Sequence, residues 1–257
     1  MSTRLRKDLN NLSVFDKIII VDTDDNERKS SMVLITDTAK CRAQDVSDIF
    51  HYMGILSYAA TPKEALSEIS SIYKAVLILH PEKFADIEDY LQKLRSYDRA
   101  VPVIAITDAH LPEYVSDLFD GCYPDSIYSS TLVYEIAKLQ KERGLPIIGA
   151  YRLAGIDASS DRRSVCVFDK PLPFTKTEIM ILKYLIVSYP SPQSPKNILK
   201  YAFKPSRKPE ITSIRTHVSV MNKKFRGVRG KNLFLAVPSH GYVISTPEII
   251  QTYGEAN

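Results

Sequence analysis

The chain has 257 residues, 44 % of them hydrophobic and 25 % charged, a balance that excludes a disordered or low-complexity protein and leaves room for two domains with separate cores. No apolar run approaches the roughly 18 residues of a membrane span, and three scattered cysteines, Cys41, Cys122 and Cys166, lack the paired spacing of a zinc site or a disulfide framework. The net charge of +4 conceals an asymmetry: residues 1–150 carry 17 basic and 23 acidic side chains, whereas residues 151–257 carry 17 and 7.

The first segment, 1–30, is an N-terminal extension. Its polar start lacks the apolar stretch of a signal peptide, which together with the unpaired cysteines sets the expectation of a soluble cytoplasmic protein. Residues 17–21 form a strand pattern followed by Asp22, Asp24 and Asp25. A polar turn too short for a helix comes next, and then another strand, so 17–37 reads as a hairpin-like addition ahead of the core. The three aspartates are a solvated turn or a metal-binding cluster; the sequence leaves both open.

From residue 31 short apolar runs alternate with amphipathic stretches, the pattern of a parallel sheet with crossover helices. Strands are expected at 32–36, 55–59, 75–79 and 101–107, with a weak fifth at 126–128. Helices are expected at 42–53, from Pro62, through Ile87, Leu91 and Leu94, around 114–119, and at 131–143. Five repeats without a glycine-rich phosphate loop indicate an α/β, flavodoxin-like sheet that binds no nucleotide. The order and spacing over 31–143 resemble the CheY-like receiver domain of two-component response regulators. That resemblance implies an acidic pair holding magnesium, a phosphorylated aspartate after the third strand, a Ser or Thr on the fourth and a Lys on the fifth. Here only Asp37 stands at the acidic pair, the third strand runs out in Leu79, His80 and Pro81, and the lysine position falls at or near Tyr128. Thr107 alone remains of the later groups. The domain is therefore a degenerate receiver, expected to work without aspartyl phosphate as a dimerisation or protein-binding module. An apolar stripe of Leu132, Ile136 and Leu139 is offered for a homodimer, or for packing on the sheet. His80 is expected to be a strand-end residue without a partner.

The segment 145–174 reads as short antiparallel strands at 147–151 and 165–168 with polar turns at 157–163 and 169–171. Thr175 and Glu178 make a capping box for a helix through Ile179, Leu182, Leu185 and Ile186, and Ser194 before Pro195 starts a second. In the third helix Ile211, Ile214, Val218, Met221 and Phe225 recur at spacings of three and four and form one buried stripe. Thr212, Arg215, Thr216, Ser219 and Lys223 share the opposite face, which holds no acid and suits base edges and phosphates in a major groove. His217 lies between the two and is expected to pack rather than to read a base. A hairpin follows, with strands at 233–237 and 242–244 around Pro238, Ser239, His240 and Gly241. Between Lys196 and Lys231 eleven basic side chains face one acid, Glu210, an electrostatic footprint for a polyanion.

Residues 146–246 resemble the winged helix-turn-helix effector domains of the OmpR/PhoB family, through 172–178, His217-Val218-Ser219, Asn222-Lys223-Lys224-Phe225 and His240-Gly241-Tyr242-Val243. The resemblance implies an OmpR/PhoB-type response regulator, a DNA-binding transcription regulator with double-stranded promoter DNA as partner. Thr212, Arg215, Thr216, Ser219, Asn222 and Lys223 would lie at bases or nearby phosphates, Lys224, Arg226, Arg229 and Lys231 on the backbone, and His240 with Gly241 at the wing tip. It also implies that the 204–209 loop contacts RNA polymerase. The insertion 226–231, basic and glycine-spaced, is expected to act as a backbone clamp, and 247–257 as a C-terminal tail. No catalytic residue, metal or cofactor is expected. The alternative is a DNA-binding regulator whose N-terminal domain senses a ligand or a partner protein, or retains a non-standard phospho-site, with Asp22, Asp24, Asp25 or His80 involved. An enzyme acting at the first domain's strand ends lacks a nucleophile elbow or paired ligand spacing in its support.

Overall fold

The computed structural model describes residues 29–159, 164–168, 170–203 and 209–254. The described chain divides into two compact units, one over 31–150 and one that joins residues 29–30 to the chain from 151 onward.

In the first unit strands and helices alternate: β2 (Met32–Thr36), α1 (Lys40–Tyr52), β3 (Ser57–Ala60), α2 (Pro62–Glu68), β4 (Tyr73–Leu79), α3 (Ile87–Tyr97), β5 (Val103–Ile106), α4 (Glu113–Ser116), β6 (Gly121–Tyr123) and α5 (Ser129–Glu142). The sheet runs in the order β3-β2-β4-β5-β6 with every neighbouring pair parallel. β2 and β4 lie in its interior and are buried on both faces, which is why they read as unbroken apolar runs. Along the strands alternate residues serve opposite faces. Val33, Ile35, Leu77 and Ile104 pack with Ala43 and Phe50 of α1 and with Leu132, Val133 and Ile136 of α5. The stripe offered for dimerisation is thus part of the core. Thr61 and Glu64 close a reciprocal capping box that starts α2 at Pro62.

Two expectations shift. The fifth strand lies at Gly121–Tyr123 rather than at 126–128, so the strand-end position belongs to Tyr123 and not to Tyr128. Residues 147–150 form no strand of the second unit. The buried Gln140 side chain accepts from the Ile148 amide at 2.6 Å and donates to the Lys74 carbonyl at 2.8 Å, and Ile148 is fully buried in the first core.

The second unit opens on an antiparallel sheet, β1 (Lys29–Ser30), β7 (Tyr151–Leu153), β8 (Ile156–Asp157), β9 (Val165–Val167) and β10 (Lys170–Leu172), hydrogen-bonded in that order. Ser30 pairs with Tyr151, so the end of the N-terminal segment belongs to this sheet and not to a hairpin ahead of the first core. Asp22, Asp24 and Asp25 lie outside the described residues. The turns expected at 157 and 170–171 hold strand residues instead, because such two- and three-residue strands carry too little periodicity to be read.

Three helices follow, α6 (Lys176–Ser188), α7 (Pro195–Ala202) and α8 (Ile211–Arg229), then the hairpin β11 (Phe234–Val237) and β12 (Gly241–Ile244), and finally α9 (Pro247–Tyr253). Thr175 and Glu178 make both bonds of the capping box, and Ser194 caps α7 by accepting from Asn197. α9 replaces the expected tail: Thr246 accepts from the Ile249 amide and Pro247 opens the helix, both recognisable start signals. Ile214, Val218, Met221 and Phe225 of α8 are buried, each burial contributing about 2 kcal/mol. Ile211, placed in the same stripe from sequence, is 49 % exposed at the first helical turn.

Candidate nucleic-acid interface

The polar face of α8 follows from the burial of the other face. With Ile214, Val218, Met221 and Phe225 fixed inward, the 100° step per residue turns Thr212, Arg215, Thr216, Ser219 and Lys223 outward, and all five are exposed. The helix runs to Arg229 and ends on Gly230, whose left-handed φ of 70° closes it, so the 226–231 insertion is mostly helix. Arg226 continues the same stripe three residues beyond Lys223 and is exposed. No acidic residue lies in α8. Arg215, Lys223, Arg226 and Lys231 make no hydrogen bond or ion pair with any described residue, and Thr212 has only a long approach, 3.5 Å, to Glu210.

Two members of the expected set are committed to the fold. Asn222 is half-buried; its Oδ1 accepts from the amides of Leu233 at 2.9 Å and Phe234 at 2.8 Å, and its Nδ2 donates to the Phe234 carbonyl at 3.2 Å. It pins α8 to the backbone of Leu233 and Phe234, with both the oxygen and the nitrogen of its amide engaged there. Lys224 donates to Glu178 Oε2 at 2.8 Å and to the Pro173 carbonyl at 3.0 Å, with Phe174 5.3 Å beneath its ammonium. Burial pushes the Glu178 carboxyl up, but Lys224 and the Thr175 amide outweigh it and hold the group below the usual carboxylate range. Lys224 therefore fastens α8 to the start of α6. His217 is half-buried between the two faces.

At the hairpin tip His240 is exposed, with Nδ1 2.8 Å from the Pro238 carbonyl, which leaves Nε2 as the outward nitrogen. Gly241 has a structural duty. Its φ is 114°, and a Cβ there would lie 2.1 Å from the Gln193 carbonyl oxygen, so only glycine lets β12 bridge to the α6–α7 connection. Gln193 and Tyr242 exchange both backbone bonds at that bridge, at 2.8 and 2.9 Å. Arg229 stands apart from the other cations, its guanidinium carbon 3.5 Å above the ring centroid of Phe168. From sequence, Phe168 stands only at a strand end. Of the loop expected to meet RNA polymerase, residues 204–208 lie outside the described residues.

The strand ends of the first unit present the opposite arrangement. Asp37 is fully buried; Oδ1 accepts from the Ala39 amide at 2.7 Å and Oδ2 lies 3.3 Å from Arg42 Nε, so it shapes the turn into α1. His80 sits in left-handed backbone with Nδ1 3.4 Å from Glu82 and Nε2 3.5 Å from Asp125, two partners that its sequence neighbourhood had not suggested for it. Thr107 donates to Glu82 Oε2 at 2.9 Å and accepts from the Ala109 amide at 3.0 Å. Tyr123 closes the group at the end of β6, followed by Pro124, and its hydroxyl donates to Glu135 at 3.3 Å. Burial first, then Glu135, pushes that phenol up. The magnesium ion implied by the receiver resemblance does not fit: a single acid remains at its place, its Oδ1 taken by the Ala39 amide and its Oδ2, which makes no hydrogen bond, facing the cationic Arg42 rather than a second carboxylate. Among the described residues no group of three or more His, Cys, Asp and Glu is placed to hold a metal, and no helix is long and apolar enough to cross a membrane.

The strand order defines the first unit as a CheY-like α/β fold, and the small sheet, three helices and C-terminal hairpin define the second as a winged helix-turn-helix. No protein-family model and no curated protein matches the chain. Solved structures do. The chain is similar to a redox sensor of the streptococci evolved from two-component response regulators, at 14 % identity over 84 % of this chain and 99 % of that one, TM-score 0.34. It is also similar to the Thermotoga maritima response regulator DrrB, an OmpR/PhoB homolog, at 12 % identity over 84 % and 100 %, TM-score 0.37. A third is the DNA-binding domain of the response regulator AdeR, solved in complex with an intercistronic region, at 20 % identity over 38 % and 99 %, TM-score 0.33.

Proposed function

We propose that this chain is a sequence-specific DNA-binding transcription regulator of OmpR/PhoB type whose receiver-like unit works without aspartyl phosphate. The observation that carries the reading is the outer face of α8, where exposed hydroxyls and cations without a partner among the described residues line one stripe free of acids. Arg215, Thr216, Ser219 and Lys223 read base edges in the major groove; Arg226, Arg229 and Lys231 hold the backbone; and His240 reaches out from the wing. The 204–209 loop is the segment proposed to meet RNA polymerase, and the protein acts in the cytoplasm.

In the first unit His80 at the phospho-acceptor place, Tyr123 at the lysine place and Glu82 on Thr107 support a site closed to phosphate. The unit serves as a dimerisation module. With Leu132 and Ile136 in the core, the surface proposed for a second copy is that of exposed Tyr114 and Leu118 on and just after α4, beside acidic Glu113 and Asp117, together with exposed Tyr134 beside Lys138 and Lys141 on α5. Acidic and basic edges of that kind complement each other across a two-fold axis. No catalytic step belongs to this reading.

Selection from a pool of random-sequence duplexes tests it. The protein is expected to enrich one motif, and Arg215→Ala to flatten the preference while leaving backbone binding largely intact. A pool that stays random after repeated rounds contradicts the proposal.

A further inference from the structure

Phe168 is 46 % exposed and held at a φ of 47°, a left-handed backbone that bulky L-residues avoid. Three groups keep it there. Its N–H donates to the Gly155 carbonyl at 2.7 Å. Gly155 is itself left-handed, at 77°, and a Cβ on it would come within 2.5 Å of the Phe168 ring, so a glycine is what lets the ring lie against the β7–β8 turn. The Arg229 guanidinium then lies over the ring, 3.5 Å from its centroid.

A solvent-facing aromatic in strained backbone calls for a reason, and the geometry of guanidinium supplies one. Stacking on a ring uses the flat face of the group and stops the long side chain from wandering, while its five N–H donors stay in plane and point outward. None of them donates to a described residue, and no acid is paired with Arg229 among those residues. A helix-end arginine that served only the helix would turn its donors onto the last carbonyls. Here the donors remain open for a planar or tetrahedral oxyanion approaching from solvent, next to exposed Arg226 and Lys231.

We propose that Phe168 is a positioning residue for Arg229, holding its guanidinium ready to clamp one phosphate of a DNA duplex; this rests on the DNA-binding reading above. The clamp lies where α8 meets the antiparallel sheet, so it carries the footprint past the recognition stripe.

The test uses the full-length chain and a mixed-sequence 30-base-pair duplex (about three helical turns), with affinity measured by fluorescence anisotropy across a salt series. Phe168→Leu, similar in volume but without a π face, is expected to weaken binding about three-fold. Phe168→Tyr is expected to bind as the parent does. Arg229→Ala is expected to weaken binding further and to make the salt slope shallower by about one unit. Adding Phe168→Leu to Arg229→Ala should cause no additional loss, since the ring acts only through the arginine. Arg229→Lys, which keeps the charge but loses the flat face, provides the same comparison without touching the strained turn and is expected to lose binding as Phe168→Leu does. Unchanged binding by Phe168→Leu and Arg229→Lys, or a double variant whose loss is the sum of the single losses, overturns the clamp while leaving the DNA reading intact. Failure of the parent protein to bind the duplex overturns both.

Discussion

The strand ends of the first unit and the outer face of α8 are both rich in polar and charged side chains, yet they differ in one respect. At the strand ends most such groups face an internal neighbour: Asp37 Oδ1 bonds the Ala39 amide while Oδ2, without a hydrogen bond, lies beside Arg42, His80 approaches Glu82 and Asp125, Thr107 bonds Glu82, and Tyr123 bonds Glu135. On α8 the side chains of Arg215, Lys223 and Arg226 are exposed and make no bond to a described residue. Saturated groups rigidify a fold, whereas exposed groups without partners are free to bind something else. The contrast is what supports the proposal that DNA is met by the helix and that the receiver-like strand ends are structural.

The largest effect should come from reversing charge on the open face. Arg215→Glu with Lys223→Glu is expected to lower duplex affinity on the order of a thousand-fold, because two attractive contacts become repulsive beside the phosphates. Anisotropy at low salt measures it, and melting temperature should hardly change, since neither side chain supports the fold.

Second comes a saturated group in the first unit. Asp120 accepts from the Val103 amide and Arg95 at 2.7 Å each, and from Arg143. Burial pushes its carboxyl up, but Arg143, the amide and Arg95 together hold it below the usual range. Asp120→Asn is expected to cost about 3 kcal/mol of stability near neutral pH. With a depressed folded-state pKa, the stabilising contribution is complete above about pH 4 and is lost as pH falls through the folded value. The gap between parent and variant, followed by urea unfolding, should therefore narrow in acid. A gap that widens in acid contradicts this assignment.

Asn222→Ala sharpens the comparison within α8 itself. Removing an acceptor for two amides should destabilise the second unit by about 2 kcal/mol. Affinity measured well below its melting temperature should fall equally for all duplexes, whereas a selective loss on the enriched motif would return Asn222 to base reading. Smallest of all, acetyl phosphate or beryllofluoride is expected to change neither oligomeric state nor DNA affinity, as seen by sedimentation and anisotropy.

Much of this contrast was legible in the sequence. The spacing of Ile214, Val218, Met221 and Phe225 oriented α8, and Thr175, Glu178 and Ser194 marked the helix starts, because those signals are local and periodic. Long-range partners were not. The groups that occupy Asn222 lie 11 and 12 residues away, and those that occupy Lys224 lie 46 and 51 residues away, distances at which no spacing rule operates. β6 was misplaced because Gly121-Cys122-Tyr123 has no apolar run, while the neighbouring Ile127 offers one. The pairing of Ser30 with Tyr151 joins positions separated by the whole first unit. His80 shows the same limit at short range: Glu82 is a near neighbour, but only the strand order brings Asp125 beside it.

The most direct test of the open face is the salt dependence of duplex binding by the parent protein and by the triple variant Arg215→Ala, Lys223→Ala, Arg226→Ala. Affinity of the parent should fall steeply as salt rises, and the variant's slope should be shallower by about 0.9 for each phosphate contact removed. A parent protein indifferent to salt, or a folded triple variant that binds with the parent's affinity and slope, would contradict the account.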